Sequence, residues 1–159
     1  MRIERRLAEL GLELPQPMQT PSGVALPFPW VRLWPGRAFA SGHGPLQPDG
    51  SLTATLGKVG ADVTEEQAYA AARATALAML ASLQRALGDL DRVTGWLRVF
   101  GMVNTAPGFS RTPAVINGFS DLIIDLWGPE AGPHARSAIG VAALPFDIPV
   151  EIEAEVAVD

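Results

Sequence analysis

Between Thr64 and Gly88 the sequence permits little besides one long helix. Thr64 and Gln67 stand at capping-box spacing, and Glu65 and Glu66 favour the positive end of a helix that starts there. Ala68, Ala72, Ala76, Met79, Leu80, Leu83 and Leu87 then recur on one face, and Gly88 supplies the stop. A face this rich in alanine lets a helix lie close to a sheet. The next apolar stretch, Val93 to Val103, has the alternation of a strand. Its spacing predicts Val93, Leu97, Val99 and Val103 on one side and Trp96, Phe100 and Met102 on the other. Apolar residues on both faces predict a strand covered on both sides. The helix covers one; a second copy of the chain is the expected cover for the other.

The remaining elements follow from similar signals. Residues 2–10 predict a short helix with Ile3, Leu7 and Leu10 on one face and Gly11 as its end. Prolines 15, 17, 21, 27 and 29 make residues 12–30 an extended wrap. Trp34-Pro35-Gly36-Arg37 fits a turn between strands at 30–34 and 37–41. Pro48-Asp49-Gly50 is a second turn, expected to lead into a short strand at 51–55. Thr112-Pro113 predicts a cap and first turn for another long helix, with Ile116, Phe119, Ile123 and Trp127 as its buried stripe and Gly128 as its end. Strands are expected at 136–143 and 149–158. The predicted order is β-β-β-α-β-α-β-β behind the N-terminal helix, an α+β domain spanning 1–159, with 1–30 as short helix and wrap.

Composition narrows the chemistry. The chain has no cysteine, which excludes thiolate catalysis and disulfides. Its two histidines, His43 and His134, lie far apart in sequence, so no metal site is expected. Apolar runs fall well short of the ~18 residues of a membrane span. The N-terminal Met1-Arg2-Ile3-Glu4-Arg5-Arg6 lacks the apolar core of a signal peptide, and a cytoplasmic location is expected. A net charge of −5 opposes binding to nucleic acid.

Against this background Arg136 and Glu151 stand out. Arg136 begins the apolar run Ser137-Ala138-Ile139-Gly140-Val141, where a guanidinium needs an anionic partner. Its planar fork suits a carboxylate held by two parallel hydrogen bonds. Glu151 begins the last strand, after the Leu144-Pro145 break. It alternates with Glu153 and Glu155, a pattern that also suits a solvated face. Asn117 sits inside a predicted helix, where its propensity is poor, so either a partnered amide or an exposed one fits. Gly42 would let backbone approach a ligand, or simply end a strand. Neither histidine has a serine in a nucleophile motif; Ser137 lacks a G-x-S-x-G setting.

The run Arg136-Ser137, Leu144-Pro145 and Val150-Glu151-Ile152-Glu153-Ala154 resembles the C-terminal pattern of the RidA (YjgF) family of reactive-intermediate deaminases. Ser41-Gly42-His43-Gly44-Pro45 is similar to that family's Ser-Gly-Gln-x-Pro segment, and Asn117 within Val115-Ile116-Asn117-Gly118-Phe119 to its helix asparagine. The resemblance implies a chorismate-mutase-like fold: a mixed sheet with two helices on one face, assembled as a homotrimeric barrel with pockets between subunits. It also implies hydrolysis of small carboxylate-bearing enamines and imines to 2-keto acids and ammonia, without a cofactor. Arg136 would clamp the carboxylate and Glu151 would handle protons, with Asn117, Gly42, Phe28 and Ala138 lining the pocket. A trimeric keto-acid or amino-acid sensor without turnover is the alternative; endoribonuclease activity is less favoured. Phe28 stands where many family members carry a tyrosine, and the only tyrosine in the chain is Tyr69.

Overall fold

A computed structural model describes residues 1–20 and 23–159. Pro21, part of the predicted wrap, lies outside the described residues. The elements run α1 (Arg2–Glu9), β1 (Val31–Trp34), β2 (Arg37–His43), α2 (Glu65–Leu87), β3 (Val93–Asn104), α3 (Thr112–Ala131), β4 (Ala135–Val141) and β5 (Val150–Val158). The strands form one mixed sheet in the order β1-β2-β5-β3-β4, in which only β3 and β4 run parallel. Helices α2 and α3 pack on each other and on one face of this sheet.

The predicted α2 is present with its ends as read. Thr64 accepts a hydrogen bond from the Gln67 amide, the Gln67 side chain returns the bond, and Gly88 adopts the left-handed conformation. All seven residues of its predicted stripe are buried. The α3 stripe is buried too. The two helices cross where Gly118 meets Tyr69: a Cβ at Gly118 would sit 2.1 Å from the Tyr69 carbonyl oxygen, so only glycine allows this approach. The wrap is tied down as extended chain, with the Gln16 and Gln19 amides donating to the carbonyls of Pro48 and Gly50.

Four expectations need correction. The strand at 51–55 does not form; that region holds one isolated bridge, Leu46 to Leu52. Asp49 turns its carboxylate onto the Ser51 amide and hydroxyl, so the segment folds on itself. Trp96 lies with Val93, Val99 and Val103 on the helix-covered side of β3, while Leu97 is exposed. Bulges at Val93/Gly95 and Trp96/Arg98 break the strict alternation that predicted the reverse. Thr112 does not cap α3; its hydroxyl donates to the Ala138 carbonyl, tying the helix start to β4. Gly128 interrupts α3 with φ 79°, but helical turns continue from Pro129 to Ala131. The last predicted strand pair is confirmed, with β4 ending at Val141.

Among the described residues, no helix covers the other face of the sheet. Register places Phe39, Glu155 and Arg98 side by side there, followed by Glu153 beside Phe100 and Glu151 beside Met102. Trp34, Phe39 and Ile139 on this face keep 40% or more of their surface exposed.

Candidate active site

Arg136 lies on β4, an edge strand, opposite Val99 and therefore on the helix-covered side. Its side chain runs beneath α3. One terminal nitrogen, Nη1, donates to Asn117 Oδ1 at 2.9 Å and to Ser120 Oγ at 3.1 Å. Nη2 reaches the Pro113 carbonyl at 3.4 Å. Among the described residues no carboxylate lies within ion-pair distance of it. Both protons of Nη1 are used, while among the described residues Nε and one proton of Nη2 have no protein acceptor. Nε and Nη2 share one edge of the guanidinium, the edge that takes a carboxylate by two bonds. The group opens into a shallow cavity of about 300 Å³ with Asn117, Ser120, Asp121, Ile124, Pro133 and His134. Asn117 is thus both exposed and partnered, joining the two predicted alternatives. Ala138 lies on the same side of β4, two residues along.

Glu151 occupies a different place. It pairs with Met102 and faces the side of the sheet without helices. Counting two strand spacings and three residues of rise, it lies roughly 14 Å from Arg136 along the sheet. The site predicted from sequence is therefore split within one chain: Arg136, Asn117 and Ala138 form one half, and Glu151, Gly42 and Phe28 the other. Gly42 runs beside the Glu151 side chain, and a Cβ there would stand 3.0 Å from its carboxyl carbon. Phe28 is 46% exposed and meets Trp30 edge-on at 5.8 Å. With Met18, Leu26, Leu52, Phe146 and Ile148 these residues enclose about 270 Å³, and Glu151 is the one ionisable group in the lining. Burial, with Glu153 adding repulsion, raises the Glu151 pKa above the usual carboxylate range.

One wall of this pocket is strained. Phe146 and Asp147 have φ of 57° and 59°, the two non-glycine residues in the left-handed region among the described residues. The buried Asn104 holds them: its amide donates to Asp147 Oδ1 at 3.2 Å and to the Ile148 carbonyl at 3.3 Å, while Lys58 donates to its oxygen at 2.8 Å. Gly57 adds a bond to the Asp147 carbonyl. The effect is to present Phe146, 53% exposed, to the pocket.

Both histidines have serine partners. His43 Nδ1 lies 2.6 Å from the Ser41 carbonyl, and its Nε2 lies 2.9 Å from Ser82 Oγ. His134 has the same arrangement with Gly132 and Ser120. A carbonyl only accepts, so Nδ1 carries the proton in each ring and Nε2 accepts from serine. Burial lowers the pKa of both, that of His43 to about 4. Sequence reasoning missed Ser82 and Ser120, which belong to no linear motif.

A hollow of about 510 Å³ lies elsewhere, over Arg32, Phe39, Arg98, Phe100, Glu153 and Glu155. It is a broad depression in the uncovered sheet face. The two smaller sites are better candidates for chemistry, because one holds a cation with a free fork and the other a carboxyl in apolar surroundings.

Comparison with known proteins agrees with this architecture. Residues 4–151 match the family described as "YjgF/chorismate mutase-like, putative endoribonuclease". The protein TCP17 of Trypanosoma cruzi is 48% identical over 98 residues, a stretch covering 62% of this chain and 61% of that protein. Atu1372 from Agrobacterium tumefaciens, a protein of unknown function, is 38% identical, with a TM-score of 0.87 over 99% of this chain and 93% of that one. A Shewanella oneidensis MR-1 protein with the same endoribonuclease description is 28% identical, with a TM-score of 0.88 over 98% of this chain and 99% of that one. The fold, the ordered motifs from Ser41 to Ala154 and a family match over residues 4–151 coincide: the chain belongs to the YjgF/chorismate mutase-like (RidA) family.

Proposed function

We propose that this protein hydrolyses reactive enamines and imines of amino acids to 2-keto acids and ammonia. The observation that carries the reading is Arg136, a guanidinium held by neutral acceptors and, among the described residues, left without a carboxylate. A substrate carboxylate completes it. The enamine tautomerises to the imine, water adds to the imine carbon, the carbon–nitrogen bond breaks, and ammonia leaves. Glu151 suits the proton transfers to and from water and nitrogen. Its raised pKa brings a carboxyl closer to working pH, where exchange in both directions is easiest. The substrate arrives already activated, so positioning and charge complementarity supply the acceleration.

The reading requires the two halves to meet across a subunit boundary. A homotrimer that brings the β4 edge of one subunit against the Glu151 half of its neighbour would do so, and would cover the apolar residues of the open sheet face. The apolar lining around Phe28, Trp30 and Phe146 favours substrates with bulky side chains over 2-aminoacrylate.

A ligand-binding protein without turnover is the second reading. It is favoured by Phe28, which offers no hydroxyl to position water. Endoribonuclease chemistry has less support, since both histidines are neutral and engaged with serine and backbone carbonyl. The deciding experiment follows ammonia release from serine-derived and leucine-derived imines, generated enzymatically, with and without the protein. Saturable keto-acid binding with no acceleration on either substrate would replace the deaminase by the sensor.

A further inference from the structure

Arg136 is a long side chain on an edge strand, and such a chain ordinarily samples many rotamers. Two of its acceptors, Asn117 and the Pro113 carbonyl, belong to exposed residues on the first turns of α3. The third, Ser120, is buried, with 7% of its surface exposed. A buried serine hydroxyl can face an arginine in two ways, and only one of them helps. Its proton must point away so that a lone pair points toward the guanidinium. Here the direction is fixed: the proton goes to His134 Nε2 at 2.9 Å, because His134 Nδ1 is committed to the Gly132 carbonyl at 2.8 Å.

We propose that Ser120 and His134 form a positioning relay for Arg136, in which neutral His134 orients the Ser120 hydroxyl so that it accepts from Nη1 and leaves the outer edge of the guanidinium aimed at the substrate carboxylate. This deepens the reading of Arg136 as the carboxylate clamp and rests on it. Ser120 and His134 need not touch the substrate; they act through Arg136.

The relay works only while His134 is neutral. A protonated ring turns Nε2 into a donor, and Ser120 would then stand between two cationic donors with its own proton displaced. The groups facing His134 keep it neutral. Burial lowers its pKa most, the bond to the Gly132 carbonyl works the other way, and from β4 Arg136 adds to the lowering by disfavouring a second positive charge. From α3, Asp121 lines the same cavity, but its carboxylate is engaged by the Tyr69 hydroxyl of α2 at 2.7 Å. From β3, the uncharged Trp96 ring approaches at 6.5 Å. With its pKa below the ordinary histidine value, His134 is neutral at neutral pH. The relay is lost as pH falls through that lowered value.

The test uses the full chain. Affinity for 2-keto-4-methylpentanoate is measured by calorimetry, turnover on the leucine-derived imine is assayed, and His134 is titrated by nitrogen NMR. Ser120→Ala is expected to raise Kd and KM about tenfold, from loss of one hydrogen bond to a charged group, with kcat within about twofold. Ser120→Thr restores both, and His134→Phe repeats the alanine result. Wild-type His134 shows an Nδ1–H ring, and its titration midpoint rises in Arg136→Ala. Normal affinity in Ser120→Ala, alongside lost affinity in Arg136→Ala, overturns the relay while leaving the clamp. Normal affinity in Arg136→Ala overturns the clamp instead. The titration separately decides whether the three side chains are coupled, and an unmoved His134 midpoint in Arg136→Ala refutes the relay.

Discussion

Arg136→Lys isolates the fork from the charge. The arginine spends three donors on Asn117, Ser120 and the Pro113 carbonyl and, among the described residues, keeps two, on Nε and Nη2, for a ligand. A lysine retains the positive charge but has one nitrogen with three donors. To reach the carboxylate it must release the α3 acceptors, and it then gives one strong bond where the fork gave two. Loss of one charge-assisted bond is worth ~1.5–3 kcal/mol, so affinity for a 2-keto acid should fall about ten- to a hundredfold. Arg136→Ala, which also removes the charge, should cost ~2–5 kcal/mol. The assay is calorimetric titration with 2-ketobutyrate, with circular dichroism and light scattering to confirm that each variant keeps its fold and assembly. If lysine binds as well as arginine, a point charge is sufficient, and the two-bond clamp inferred from the free edge is wrong.

Glu151→Gln should remove the acid limb of kcat against pH, since the carboxylate is lost as pH falls through its raised pKa; a retained limb assigns the titration elsewhere. The same substitution should raise Tm at pH 7 but not at pH 4. A carboxyl whose folded pKa lies above its unfolded one opposes folding only once it ionises. Light scattering should give about three times the 16.8 kDa of one chain, and a stable monomer would leave the two half-sites apart. Phe28→Tyr should raise kcat on small imines a few-fold, on the order of 1 kcal/mol for one added hydrogen bond. Equal rates in a side-by-side assay would show that Phe28 stands clear of the reacting atoms. Phe146→Ala should reduce the preference for leucine-derived over serine-derived imines, and an unchanged ratio would remove Phe146 from the specificity wall.

The sequence was most legible where one force dominated. The α2 boundaries at Glu65 and Leu87 follow from a capping box and a left-handed glycine, both local and both present. The alternation in β5 sets Val150, Ile152, Ala154, Val156 and Val158 against the three glutamates; the first four are buried and Val158, near the end of the strand, is half-buried. Reading failed where a local hydrogen bond or a bulge overrode the pattern. Asp49 drew residues near 51 into a turn, and Thr112 spent its hydroxyl on β4 in place of its own helix. The bulges in β3 moved Trp96 inward, where it meets Phe119 and Trp127 edge-on at 5.7 and 5.4 Å. No single-residue periodicity encodes a bulge, because the extra residue matters only against the partner strand.

The candidate site shows a deeper limit of linear reading. Arg136 and Glu151 lie close in sequence, with a short loop and one turn between them, and the resemblance assigned both to a pocket between subunits. Between them, however, the chain leaves edge strand β4 and returns as central strand β5, with β3 lying between. Arg136 is in register with Val99 and shares its helix-covered side; Glu151 is in register with Met102 and shares the open one. Sheet order and pleat thus separate two residues that chain order joins. What the fold places beside Arg136 is instead α3, whose Asn117 and Ser120 are one helical turn apart and face the same guanidinium. Each half is therefore coherent by itself: a cation with a prepared edge, and a carboxyl in an apolar pocket. Neither half carries out the proposed reaction alone. If the deaminase reading is right, assembly is part of the catalytic machinery, and dilution below the trimer dissociation range should abolish turnover while each subunit stays folded. A folded monomer that retained full turnover would show that one half suffices, and would remove the reason for bringing the β4 edge to a neighbour.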